Sequence, residues 1–149
     1  MYLAPLFTPH CRKGRSSLVS EPRDVPAGLL ESAREDAAAA RLIADAEVPD
    51  RIVGFHAQQA VEMFLKAVLA MRGVPYERTH DIERLTSLVS DSGLEPSPDI
   101  DELAQLTPWA VERRYGDPFD PEPLDRKWAV DIVGRTEDWA ARAFVPPDG

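Results

Sequence analysis

Three clusters of polar residues have the types and spacing for phosphate or base chemistry. The first is Arg51, His56, Gln58, Gln59, Glu62 and Lys66, inside one uninterrupted stretch. Histidine titrates near neutrality, so it can carry a proton or contact a phosphate. Glutamine both donates and accepts, which suits base edges. The second cluster is His80-Asp81. The third is Arg113-Arg114-Tyr115, where guanidinium groups can grip a phosphate with paired hydrogen bonds and the phenol can stack on a base. His56, Gln59, Lys66, His80, Arg113, Arg114 and Tyr115 are therefore the nucleotide- or phosphate-binding candidates. Arg51 and His56 are the candidates for catalysis.

Each cluster also has a plain structural account. His56 can be a core histidine bonded to a neighbouring helix. Gln59, Glu62 and Lys66 follow helical spacing and can form a solvated strip, with Glu62 to Lys66 an ordinary i,i+4 pair. Asp81 can cap a helix, with His80 turned toward the same cleft. Arg113 and Arg114 can offset the charge of a helix C-terminus. Arg51 and His56 stand five apart, not the three or four that sets side chains together. Joint action by that pair requires a dimer seam.

These residues need helices to position them. Alternating strand patterns are absent, and everything after Pro26 reads as helix punctuated by proline and glycine. The pattern predicts a first helix over Ala27–Ala46 and a second from Asp50, its expected cap, to Met71, ended by Gly73. Asp81 or Thr79 can cap a third, shorter helix, which Ser90-Asp91-Ser92-Gly93 ends. A fourth covers Ile100 to about Tyr115 with a kink at Pro108. A fifth runs from Pro123 to Phe144. The second helix places Ile52, Val53, Ala57, Ala60, Val61, Met63, Phe64, Ala67, Val68 and Met71 around most of its circumference, so it belongs at the centre or at a dimer seam. Trp109, Trp128 and Trp139 are expected in the core, and Arg126-Lys127 on the surface. The fold class is all-α, an up-down antiparallel bundle of about five helices.

The 149 residues suffice for one domain with a sizeable core. The net charge of −9 argues against coating nucleic acid by charge alone, though a small basic site fits on an acidic body. No apolar run approaches the roughly 20 residues that cross a bilayer. Cys11 stands alone and cannot form an intramolecular disulfide, which favours a reducing cytoplasm. His10, His56 and His80 show no zinc-ligand spacing with it, so no metal and no cofactor is expected. Residues 1–23 hold three prolines and four basic residues and are expected to form a disordered basic tail, leaving 24–146 as the bundle.

Phe55-His56-Ala57-Gln58-Gln59-Ala60-Val61-Glu62, then Leu65-Lys66-Ala67 and Gly73, resembles the signature of the HEPN (higher eukaryotes and prokaryotes nucleotide-binding) domain family. Thr79-His80-Asp81-Ile82 and Arg114-Tyr115 follow in the matching order, and the resemblance spans roughly 27–144. It implies a four- to five-helix bundle, usually dimeric and found mostly in bacteria and archaea. Many members are encoded beside a minimal nucleotidyltransferase as toxin–antitoxin pairs. Some are metal-independent ribonucleases, marked by an arginine and, four to six residues later, a histidine near the last long helices. This chain departs from that mark: no histidine follows His80. Arg51 and His56 copy the spacing on the second helix instead. The resemblance thus implies a nucleotide- or RNA-associated toxin–antitoxin partner of a minimal nucleotidyltransferase. A ribonuclease acting at a dimer seam and a non-catalytic dimeric interaction module are the alternatives.

Overall fold

In the computed structural model, residues 25–95, 97–98, 100–110 and 123–144 are described. The tail expected over residues 1–23, and Arg113, Arg114 and Tyr115, lie outside them. The described residues form five α-helices and no strand: α1 (Val25–Ile43), α2 (Asp50–Met71), α3 (Ile82–Asp91), α4 (Ile100–Ala104) and α5 (Arg126–Ala143).

α2 is the central element, as its apolar circumference requires. It packs against α1, α3 and α5, and Val53, Ala57, Ala60, Val61, Phe64, Leu65, Ala67, Val68 and Leu69 are fully buried. Ala33, Ala37 and Ala40 of α1 are also fully buried. This small-residue stripe lets the α1 backbone lie close to α2, and its burial is the main gain of that contact. Gly54 allows a second close approach: a methyl group there would stand 2.5 Å from Cδ2 and Cε3 of Trp109. Gly73 and Gly93 end α2 and α3 at φ values of 68° and 70°, the left-handed conformation that favours glycine.

Five expectations are corrected. The fourth helix does not kink at Pro108: α4 stops at Ala104, and Thr107–Trp109 forms a single 3₁₀ turn with Pro108 near its start. Proline has no N–H to bond the Ala104 carbonyl and disfavours helical backbone before it, whereas an early position in a new turn needs no such donor. Asp50 does not cap α2 with its side chain. Its carboxylate instead accepts from the Leu124 backbone N–H at 3.0 Å and Arg126 Nε at 2.7 Å. Arg126 is consequently no free surface residue. Its Nη1 also donates to the carbonyls of Ala44 at 3.2 Å and Ala46 at 2.9 Å, and Nη2 to that of Val48. Ile52 is 38% exposed rather than packed. Asp125, not Pro123, marks the start of α5, its side chain accepting from Trp128 N at 3.0 Å.

Trp109 and Trp139 are buried, as expected. Trp128 is half-buried, and its indole N–H donates to Glu102 at 2.9 Å. No helix among the described residues is long and apolar enough to cross a membrane.

Candidate functional site

The polar residues of α2 divide into two groups. Six residues along a helix turn the side chain by about 120°, so His56 and Glu62 point to different sides.

On the first side, Glu62 is fully buried and Lys66 nearly so. The solvated-strip account of these residues is therefore overturned. Glu62 accepts from Gln58 Nε2 at 2.6 Å and from Lys66 Nζ at 2.6 Å. His80 Nδ1 lies 3.1 Å and 3.2 Å from its two oxygens. A buried carboxylate is tolerated only when paired and fully bonded, and these three donors meet that condition. The segment between α2 and α3 closes over the group. Gln58 Nε2 is also 3.5 Å from the His80 carbonyl, and the Tyr76 ring centroid lies 6.0 Å from Lys66 Nζ, a cation–π distance. Asp81 caps α3 by accepting from Arg84 N at 3.2 Å, as its position predicted. That cap fixes where His80 leaves the chain, and the imidazole reaches back to α2.

One atom in this group is unmatched. Gln58 Oε1 is buried without a hydrogen-bond partner. Rotating the amide does not solve this, because Glu62 needs the donor end.

On the second side, His56 is half-buried, and its Nδ1 lies 2.8 Å from Asp36 Oδ1 on α1. The neighbouring-helix bond expected of a core histidine is therefore present, but the ring is not enclosed. Phe55 meets it edge-on at 5.6 Å between ring centroids. Gln59 is half-exposed one turn on, and Ile52 is exposed one turn before. Ile52, His56, Gln59 and half-buried Met63 thus form one accessible ridge of the central helix. Arg51 is exposed, but its five-residue offset turns it about 140° from His56.

Both histidines share one arrangement. An ionised carboxylate only accepts, so Nδ1 donates to Asp36 or Glu62. In the neutral ring, Nε2 then carries the lone pair. Neither Nε2 bonds a described residue. His80 is the more open ring, with its side chain 72% exposed. An imidazole held by one nitrogen and open at the other can accept a hydroxyl proton or bond a phosphate or base edge.

The structure thus joins Lys66 to His80 through Glu62 and sets His56 and Gln59 together on a separate ridge. Asp36 was missed in the sequence because it lies 20 positions from its partner. The one sequence signal was an acid beside the Ala33-Ala37-Ala40 stripe, where α1 comes closest to α2. Among the described residues, no group of three or more histidine, cysteine or acidic side chains could hold a metal ion. A protein-family model described as HEPN domain matches residues 27–143. No curated protein and no solved structure matches the chain.

Proposed function

The chain belongs to the HEPN domain family, and on that premise we propose that it is a nucleotide- or RNA-associated protein acting as a homodimer in a toxin–antitoxin-type pair with a minimal nucleotidyltransferase. Family membership supports the nucleotide- or RNA-related part. The observation that carries the reading further is the His56 ridge: an imidazole fixed by Asp36 at 2.8 Å, open at Nε2, beside an accessible glutamine on the central helix. Exposed Ile52 on that ridge supports a homodimer seam running along it. In this reading His56 and Gln59 contact base or ribose, while Arg113, Arg114 and Tyr115 contact phosphate. His80, open to solvent, adds a contact on the Glu62 side, while Lys66, buried against Glu62, drops out of the ligand contacts. The lone cysteine supports a cytoplasmic setting.

Isothermal calorimetry of the purified chain against nucleoside triphosphates and short RNAs tests this. Binding is expected, weakened roughly tenfold by His56→Ala, about 1.4 kcal/mol. Absence of binding to both ligand classes, alone and with the adjacent gene product, rejects it.

The Asp36–His56 dyad also favours a second reading, a metal-independent ribonuclease. His56 Nε2 would take the proton of a ribose 2′-hydroxyl, and the oxygen would attack the adjacent phosphorus. The 5′-oxygen would leave with a proton from a second imidazole, yielding a 2′,3′-cyclic phosphate and a 5′-hydroxyl. Arg51 of the other copy would stabilise the charge on the five-coordinate phosphorus. Cleavage in chelator that falls at least 100-fold in His56→Ala is the expected result. Equal cleavage by parent and variant excludes this mechanism.

A further inference from the structure

The segment that joins α2 to α3 covers the Glu62 group, yet its backbone is not bonded to the helices beneath. At one end, after Gly73, Val74 N bonds the Leu69 carbonyl at 2.9 Å, and the Asp81 cap fixes the other end. Among the described residues, no backbone–backbone hydrogen bond holds residues 75–80 between those ends. Side chains hold them instead. His80 Nδ1 meets both oxygens of Glu62, and the Tyr76 ring centroid stands 6.0 Å from Lys66 Nζ. The Gln58 amide reaches the His80 carbonyl only at 3.5 Å. Glu77 pairs with Arg84 of α3 on the outer side, where both are more than half exposed and the pair is weak. Lifting the segment therefore breaks a few side-chain contacts and no backbone–backbone bond, a local opening that leaves the bundle intact.

The shut position also carries a cost. Gln58 Oε1 is buried without a partner, so it has given up solvent and gained no bond in return. Lifting the segment returns it to solvent. Glu62 then loses only His80, because Gln58 and Lys66 stand with it on α2. Lys66 changes most. It follows Gln59 by seven residues, which places the two in line along the helix to within about 20°. With the segment shut, Lys66 is 9% exposed and cut off from the accessible ridge.

We propose that residues 74–80 are a lid, latched by His80 on Glu62, whose lifting exposes the Lys66 ammonium and adds a cation to the ridge of His56 and Gln59. The fixed ends lie at Gly73, in its left-handed conformation, and at the Asp81 cap, so the hinges fall at the ends of α2 and α3. That a phosphate uses this cation rests on the nucleotide reading above; the lid itself does not.

Lysine acetylation reads the lid directly. The chain has three lysines, and Lys127, exposed on α5, serves as the reference for Lys66. The full chain is pulsed with an N-hydroxysuccinimide ester of acetate, and both sites are quantified by peptide mass spectrometry. Lys66 is expected to react measurably but roughly tenfold or more slowly than Lys127, because a buried group reacts only through opening. His80→Ala unlatches the lid and should speed Lys66 about fivefold, the equivalent of one net hydrogen bond, with Lys127 unchanged. Arg126→Ala weakens the whole fold at the opposite end of α2 without touching the lid, and should leave the Lys66 rate as it was. Three results overturn the lid: Lys66 reacting as fast as Lys127, a rate that His80→Ala leaves unchanged, or a rate that Arg126→Ala raises in step with lost stability. No ligand is present, so such a failure leaves the nucleotide reading standing. Absence of triphosphate and RNA binding removes the use of the cation and not the lid.

Discussion

Glu62 shows how far a residue's role can depend on a partner remote in sequence. Along α2 alone, Glu62 and Lys66 are an ordinary surface pair. The segment between α2 and α3, carrying Tyr76 and, 18 positions on from Glu62, His80, meets them there, and the pair is interior. Helical periodicity reports which side of a helix a residue is on, but not whether a loop folds over that side. Glu62→Ala would leave Lys66 as a buried ammonium without its counter-charge and Gln58 without an acceptor. It is expected to destabilise the fold by about 3–5 kcal/mol, measured by urea unfolding. His80→Ala removes only the exposed third donor and should cost about 1 kcal/mol in the same measurement. At this scale the residue types of the candidate site were legible, but the division of His56 from Glu62 and Lys66 into two groups was not.

The elements were easier to anticipate. α2 was legible because its apolar residues leave almost no solvated side, and α3 because Asp81 and Gly93 bracket a short amphipathic run. α4 was misjudged because a proline inside a helical pattern either kinks or ends it, and only the tertiary contacts decide. Here the break lets Trp109 turn onto Gly54, which no period in the sequence announces. Gly54→Ala tests this contact. A methyl group 2.5 Å from the indole must push the 3₁₀ turn away, with an expected loss of about 1–3 kcal/mol. Ala60→Gly, turned about 120° from Gly54 on α2, is expected to act through helix propensity and a lost methyl contact, leaving tryptophan emission unchanged. Gly54→Ala should shift that emission.

For the whole molecule, two of the ion pairs that tie α5 to the rest are Arg126 on Asp50 and Arg135 on Glu102. Hydrogen bonds from these arginines hold both carboxyl groups below their ordinary range, against a smaller opposing effect of burial. A carboxylate depressed in the folded state stabilises it above its unfolded value. That stability is lost as pH falls through the folded value. These two pairs should therefore contribute fully from pH 7 down to about 4.5 and fade below about 4. Thermal melts followed by circular dichroism should show this acid limb, shallower in Arg126→Ala and Arg135→Ala. At pH 7, Arg126→Ala should also cost roughly 2 kcal/mol, because Asp50 and three carbonyls lose a donor.

Arg126 has a consequence for variation in the chain. Three of its acceptors are main-chain carbonyls, of Ala44, Ala46 and Val48, and carbonyls are the same in every residue type. The link between α1 and α2 is therefore recognised by its path and not by its side chains. Replacements at Asp45, Glu47 or Ala46 should be close to neutral, while removal of one residue displaces every acceptor from the guanidinium at once. This turn is open to substitution, as exposed loops are, but closed to the changes of length that they ordinarily tolerate.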